Sequence, residues 1–365
     1  MFIVNLVFFL SPPLMAVVLA RHGADATTIG INAAAMSLGI FAIGPLAPRW
    51  IGRFGPARLM AWSLSVSVAI FLIMPLAPDA WIWLPLRVVL GAAGSMCWIA
   101  SEAWINALAQ ESRRGRLMSL YSMAGYCGQA LGPAILVLVG TEGFTPFAVA
   151  ALLTGIGVLL VSMGGNLRPE LGGTTRTPLV SCLVAAPLPM LAVFAQAGAF
   201  QAYFSFFPAF GESRALPLET ALTMLTATSL GGLLLNYPMG WLADRVNRTV
   251  LAITWLGLSA GGVLLLPLVV PAGMGALPFF IVLGGIMSGT YSLSIVLVGA
   301  RFRAAELAAA STAFTLMYNA GALAGPAAAG LAIAWLGPIG LIVVMSGLLG
   351  LCIPFGLLAL RRTRS

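Results

Sequence analysis

The chain has 365 residues, 60% of them hydrophobic and 8% charged, with a net charge of +8. A soluble domain carries roughly 25% charged residues, so this composition leaves too little polar surface to cover a water-exposed fold. The mean hydropathy of +1.03 and apolar runs along the whole length define a polytopic membrane protein.

Apolar spans are read in chain order near 2–20, 30–47, 59–77, 81–105, 117–139 and 145–164. A second set follows near 179–209, 219–241, 250–270, 276–298, 308–334 and 337–360. Each is long enough to cross a hydrocarbon core of about 30 Å at 1.5 Å per residue. The first span has no basic residue before it and no small-x-small site before Arg21, so it reads as a helix rather than a signal peptide. Its beginning at Met1 leaves the true start codon open.

All 18 basic residues are arginine. Fifteen lie in alternate loops and the tail: Arg49, Arg53, Arg58, Arg113, Arg114, Arg116, Arg168, Arg176, Arg245, Arg248, Arg301, Arg303, Arg361, Arg362 and Arg364. The opposite loops hold Arg21 and Arg214. The positive-inside rule places the richer side in the cytoplasm, with both termini inside and twelve spans between them. The basic surplus is therefore a topology signal rather than a nucleic-acid surface. Cys97, Cys127, Cys182 and Cys352 stand singly in apolar spans and read as small hydrophobes. The one histidine, His22, excludes an H-E-x-x-H metal site, and no metal or cofactor is expected.

The two halves repeat each other. "VLGAAG" at 89–94 and "VLGGIM" at 282–287 are separated by 193 residues, and the same offset aligns Tyr121 with Phe314, Gly128 with Gly321 and Gly132–Pro133 with Gly325–Pro326. Duplication of a six-helix unit accounts for this spacing. The expected domains are a six-helix bundle over 1–163, a Gly/Thr-rich linker over 164–178, and a second bundle over 179–365 with a short basic tail.

"GWLADRVNR" at 240–248 resembles the loop motif G-x-L-a-D-r-x-G-r after the second helix of a major facilitator half. "LRVVLGAAG" at 86–94 resembles the family's fourth-helix R-x-x-x-G-x-x-G pattern. "GQALGP" at 128–133 and "GALAGP" at 321–326 resemble its G-x-x-x-G-P motif. The chain is thus identified as resembling the major facilitator superfamily, and "RVVLG…MCWIASE" with "RRGRLMSLY" resembles its YcaD-like branch. The resemblance implies an all-α polytopic fold of twelve helices in two pseudo-symmetric bundles. It also implies a cavity lined by the first, fourth, seventh and tenth helices, rocker-switch alternating access without nucleotide hydrolysis, and a monomer in the bilayer.

In the loop motif, Gly240 is expected to allow close packing, Asp244 to cap a helix, Arg245 and Arg248 to pair with acids or helix ends, and Asn247 to take the left-handed glycine position. The matching loop "PRWIGRFGPAR" at 48–58 has Gly52 where the acid belongs and Pro48 where the first glycine belongs. Glu102 can supply the missing carboxylate to Arg49, Arg53 or Arg113, completing an inner latch. In drug/proton antiporters the G-x-x-x-G-P motif is an exporter mark. Its presence in both halves favours glycine packing with a proline bend, at Gly128, Gly132, Pro133, Gly321, Gly325 and Pro326.

Arg87 and Glu102 share one apolar span. At 100° per residue, Gly91, Gly94, Trp98 and Glu102 fall at about 40°, 340°, 20° and 60° from Arg87, so they share a face. The rise between the two charges is about 22 Å, which excludes direct pairing. Arg87 is read as an anchor for an anionic solute or a charge acting on a proton site, against a helix-end arginine snorkelling to the interface. Glu102 is read as a latch acid or, secondarily, a proton carrier. No acid lies in the middle of a span, which weakens proton coupling through a buried carboxylate. Asp25 and Glu219, at the starts of the second and eighth helices, are fallback carriers should the proton gradient drive transport. Further cavity candidates are Asn5, Gln129, Gln196, Tyr203, Ser288, Tyr291, Tyr318 and Asn319, with Phe200, Phe207 and Ser292 beside them. Each can equally serve an interhelical hydrogen bond or core packing.

With the resemblance, these features imply a secondary transporter of a small organic solute in a bacterial-type inner membrane. Arg87 and the aromatic candidates lean it toward an anionic or amphipathic compound. A multidrug/proton antiporter and a non-transporting membrane sensor or scaffold are the alternatives. Copper import would need paired Met and Cys at helical spacing, and Met96–Cys97 are adjacent instead.

Overall fold

The structure is a computed structural model describing residues 1–44, 46–108, 114–164, 179–302 and 304–364. Among these the only regular structure is helical. Helices α1 (Phe2–Arg21), α2 (Ala26–Ile43), α3 (Ala47–Phe54), α4 (Pro56–Ile73), α5 (Ala80–Leu108), α6 (Arg114–Val139) and α7 (Thr145–Ser162) lie in one compact unit, Met1–Gly172. A second unit, Gly173–Ser365, holds α8 (Leu179–Ala185), α9 (Pro187–Glu212), α10 (Leu218–Ala243), α11 (Arg248–Val269), α12 (Leu277–Arg301), α13 (Ala304–Leu336) and α14 (Ile339–Arg364). Eleven described stretches are long and apolar enough to cross a membrane. One of them, Arg248–Arg301, is two helices joined by a 3₁₀ turn at Val270–Ala276, in which Gly273 takes φ 57°.

Local chemistry moves two expected boundaries. The apolar pattern begins the second span at residue 30, but α2 starts at Ala26 because the Asp25 side chain accepts the Thr28 N–H at 3.0 Å and caps the helix. The hydrogen bonds to Thr28 hold the Asp25 carboxyl below its usual range. The seventh span, read as continuous over 179–209, breaks at Ala186 (φ −135°, ψ 63°). Pro187 follows, and proline disfavours the helical conformation in the residue before it. Arg301 Nε then donates to the carbonyl of Ala185, the last residue of α8, at 3.3 Å.

Each unit is built from the same helix pairs. In the first, α1 packs on α6, α2 on α5 and α4 on α7; in the second, α9 packs on α13, α10 on α12 and α11 on α14. Glycines set the closest crossings. A Cβ at Gly91 would overlap the carbonyl oxygen of Met36, and one at Gly284 would overlap that of Thr228. Gly39 and Gly231 approach the Val88 and Ile281 carbonyls in the same way, as do Gly128 and Gly321 with Phe2 and Phe194. These contacts refine the repeat. The offset of 193 relates α5 and α6 to α12 and α13, whereas pairing Met36 with Thr228 and Phe2 with Phe194 makes the offset 192 for α1 and α2 with α9 and α10.

Candidate functional site

The face read on α5 divides along its length. Arg87 is 2% exposed and Gly91 is jammed against Met36, so this end of the face is packed inside the first unit. Gly94 has nothing within 4 Å of where a Cβ would lie, and Trp98, 38% exposed, and Glu102 lie open. The helix that shares an angular face therefore does not share an environment, because α2 covers its first turns.

Around Arg87 the polar contacts come from α1 and α2. Its Nε donates to the Asn32 carbonyl at 3.2 Å, and its Nη1 points at the Met15 sulfur. Asn32 in turn donates from Nδ2 to the Ala80 carbonyl at 2.9 Å, while its Oδ1 is buried without a partner. Trp83 Nε1 donates to the Met74 carbonyl at 2.9 Å, closing the start of α5. Met15 and Asn32 were not singled out from the sequence. Asn32 is one of few amides within a span, which was the available signal; Met15 gave none.

At the other end of α5, Trp98 Nε1 donates to Glu102 Oε1 at 2.9 Å. One turn away the Ser101 and Tyr121 hydroxyls lie 2.6 Å apart, tying α5 to α6. Arg49 and Arg53 are exposed, and the Arg53 guanidinium sits 5.2 Å over the Phe54 ring. Arg113 lies outside the described residues. Asn5 is buried and donates to the Met1 carbonyl at 3.3 Å, beside Gly125. Gln129 is buried on α6. A small apolar cavity of about 40 Å³ lies between these helices, lined among others by Ser11, Met36, Ser67, Gly94 and Cys97.

In the second unit the expected cavity residues separate into core and rim. Tyr203 is fully buried, its hydroxyl 2.9 Å from Thr228 Oγ1 and its ring 4.7 Å from Phe207. Phe200 packs on Phe204 at 4.9 Å. Gln196 is buried with an unpartnered Oε1, and Ser288 is buried against Gly232. Tyr291 and Tyr318 are half-buried, their rings 5.6 Å apart, and Asn319 Nδ2 donates back to the Thr315 carbonyl at 2.9 Å. Ser292 donates to Asn236 Oδ1 at 2.9 Å, a pairing between α12 and α10 that the sequence reading did not include.

The loop after α10 differs from expectation in three ways. Asn247, not Asp244, caps α11, its Oδ1 accepting the Thr249 and Val250 N–H groups at 3.0 and 3.2 Å. Asn247 accordingly has extended backbone (φ −61°, ψ 114°) rather than the left-handed turn. Gly240 has nothing within 4 Å of a Cβ position, so it makes no close packing. Asp244 instead faces Arg248 at 3.4 Å, and the Arg245 guanidinium lies 3.6 Å over Trp241. Of the fallback carriers, Asp25 serves as the α2 cap and Glu219 is exposed in the first turn of α10. Pro133 and Pro326 lie inside α6 and α13, whose Gly132 and Gly325 meet α1 and α9.

Among the described residues, two units, each with six membrane-length helices and matched crossings, make a duplicated helical bundle. The Major Facilitator Superfamily model matches residues 1–225 and 189–365. The chain belongs to the major facilitator superfamily, and that membership assigns transport rather than an enzymatic function. It is 22% identical over 310 residues to the MFS-type transporter YfkF of Bacillus subtilis, covering 83% of this chain and 73% of that one. It is 25% identical over 249 residues to YcaD of Escherichia coli, a match that takes in 67% of this chain and spans 64% of the relative's length. Among solved structures it resembles a point mutant of the nucleoside transporter NupG (TM-score 0.79, 13% identity, 98% and 97% covered). It also resembles a D-xylose–proton symporter (TM-score 0.73, 16% identity, 97% and 95% covered). These likenesses carry the fold alone.

Proposed function

We propose that the chain is a secondary active transporter of a small organic solute in a bacterial inner membrane. It works by alternating access of its two units, with both termini in the cytoplasm. The observation that carries this reading is the duplicated packing. Gly91 and Gly284, and Gly128 and Gly321, meet backbone in the same places in each unit, so each six-helix body is rigid at its crossings and can move as a block. The arginine-rich loops support the orientation. Arg49, Arg53 and Arg113 with Glu102, and Asp244, Arg245 and Arg248 beside Gly240, are the latch groups of this reading.

For the solute, the buried Arg87 cation favours an anionic or amphipathic compound. One observation supports a second reading: the open Trp98 indole with the Glu102 carboxylate offers an aromatic and a charge to a lipophilic cation, as a drug/proton antiporter requires. Proteoliposomes loaded with a pH-sensitive dye separate the two. Organic anions added under a proton gradient should drive dye-reported proton movement, and lipophilic cations should not. The reverse pattern, abolished in Glu102→Gln, establishes the antiporter reading. Single cysteines on the two faces of the protein, labelled with and without solute, test alternation itself: unchanged accessibility would make the protein a scaffold.

A further inference from the structure

Among the described residues Arg87 is a cation buried within the bilayer span, and the structure supplies partners to two of its five N–H donors: a backbone carbonyl and a thioether. A thioether is a weak acceptor, and a buried guanidinium ordinarily finds a carboxylate. The described acids of this unit are placed elsewhere. Asp25 and Asp79 cap α2 and α5, Glu142 faces Arg21 at 3.6 Å, and Glu102 stands about four turns along α5 with Trp98. Asn32, whose backbone carbonyl accepts from Arg87 Nε, also carries a buried side-chain oxygen, Oδ1, with no donor.

The duplicate half shows that the fold does not need this arrangement. Through the offsets read from the glycine crossings, Arg87 corresponds to Phe280, Met15 to Phe207 and Asn32 to Met224. All three counterparts are buried, and the Phe207 and Phe280 rings pack edge-on at 5.4 Å. The contact between Met15 and Arg87 thus stands where the second unit has an aromatic pair. An apolar core fills the same crossing of α9, α10 and α12, so packing does not account for the charge in α1, α2 and α5.

We propose that Arg87, held in place by the Asn32 backbone carbonyl and covered by Met15, forms an anion site inside the first unit, which takes a single negative charge, carboxylate or halide, in place of the Met15 sulfur. A crevice beside the guanidinium is lined by Pro12, Met15 and Leu19 of α1 and by Ile29 and Asn32 of α2, and it has no room for a water molecule. Met15 is the movable wall. Its unbranched side chain has three rotatable bonds, so a rotamer change vacates the space its sulfur holds without moving a helix. The anion then accepts from the guanidinium donors and from none of the existing backbone pairs. The site stands whether the anion is cargo or a resident ion.

The full-length protein in detergent provides the test, by thermal unfolding at fixed ionic strength and fixed cation. Sodium sulfate, a dianion that a site for one negative charge does not fit, is replaced stepwise at matched ionic strength by chloride in one arm and by acetate or benzoate in the other. A ligand that binds only the folded form raises the midpoint with concentration. Wild type should show a saturating rise in at least one arm; the halide arm identifies a resident ion and the carboxylate arm a solute group. Met15→Glu, close to methionine in length, places a carboxylate at the sulfur's position and should raise the midpoint while abolishing the anion response. The triple variant Met15→Phe, Asn32→Met, Arg87→Phe installs the core of the second unit, should fold, and should lose the response. No response in wild type, or an equal response in the triple variant or in Met15→Glu, overturns the site. Transport by the wild type is untouched by either result, so failure here is distinct from failure of the transporter reading.

Discussion

The glycine crossings give a prediction with a sign. Gly91 and Gly94 stand three residues apart on α5, yet a Cβ at Gly91 would overlap the Met36 carbonyl oxygen and lie 3.1 Å from Met36 Cα, whereas at Gly94 it would meet nothing within 4 Å. Alanine in place of glycine in a helix interior gains about 1 kcal/mol in propensity. Gly94→Ala should keep all of it. Gly91→Ala must push α2 away from α5, and overpacking of this kind costs about 1–3 kcal/mol. The net change at Gly91 is then about zero to 2 kcal/mol of destabilisation. At roughly 2–4 °C per kcal/mol for a unit of this size, Gly94→Ala should raise the midpoint by about 2–4 °C, and Gly91→Ala should leave it unchanged or lower it by up to about 8 °C. Gly284→Ala should behave as Gly91→Ala, since Thr228 occupies the place of Met36. Thermal unfolding of the purified variants measures the ordering. Equal stabilisation by Gly91→Ala and Gly94→Ala would refute the α2–α5 crossing, and the matched repeat with it.

Three further predictions concern single hydrogen bonds. Asn247→Ala removes the cap of α11 and should lower stability by about 1 kcal/mol, while Asp244→Ala, which loses only an exposed pairing with Arg248, should cost less than about 1 kcal/mol; unfolding of the two side by side checks the assignment. Tyr203→Phe should cost about 0.6 kcal/mol, the usual worth of a hydrogen bond between membrane helices, since Thr228 Oγ1 also bonds the Met224 carbonyl. The Asp25 carboxyl is held below its ordinary value of 3.8 by Thr28. Its contribution is therefore present above that value and lost as pH falls through the lower folded one. Midpoints of wild type and Asp25→Asn, measured from pH 6 to 3, should converge at the acid end.

Much of this was legible in the sequence for a physical reason. Apolar length and a 193-residue repeat are one-dimensional signals of spanning and duplication. Gly128, Gly132, Gly321 and Gly325 were readable as packing residues because close helix approach selects for a missing side chain. What failed to show was tertiary choice. The angular reading of α5 put Arg87 and Trp98 on one face correctly, but only the position of α2 decides that Arg87 is covered and Trp98 open. Asn247 occupies a motif glycine position, so the left-handed turn was the expectation. The side-chain oxygen that lets asparagine cap a helix won instead. Met15 carried no signal, since a methionine in an apolar span looks the same beside lipid as beside a guanidinium.

The repeat also separates what the fold requires from what function adds. Where both halves agree, at Gly91 and Gly284 or at Pro133 and Pro326, the residues serve helix crossings and bends common to any duplicated bundle. Where they disagree, packing alone cannot be the reason, because the partner half solves the same packing problem with another residue. Arg87 against Phe280 and Glu102 against Ile295 are the sharpest such disagreements, and both place charge in the first unit. Trp98 against Tyr291 and Tyr121 against Phe314 keep an aromatic on both sides while changing its hydrogen bonding. Specific chemistry should therefore be sought first in the first unit, along α5. The second unit contributes a stiff aromatic core through Tyr203, Phe207 and Phe280, against which that chemistry can be compared residue by residue.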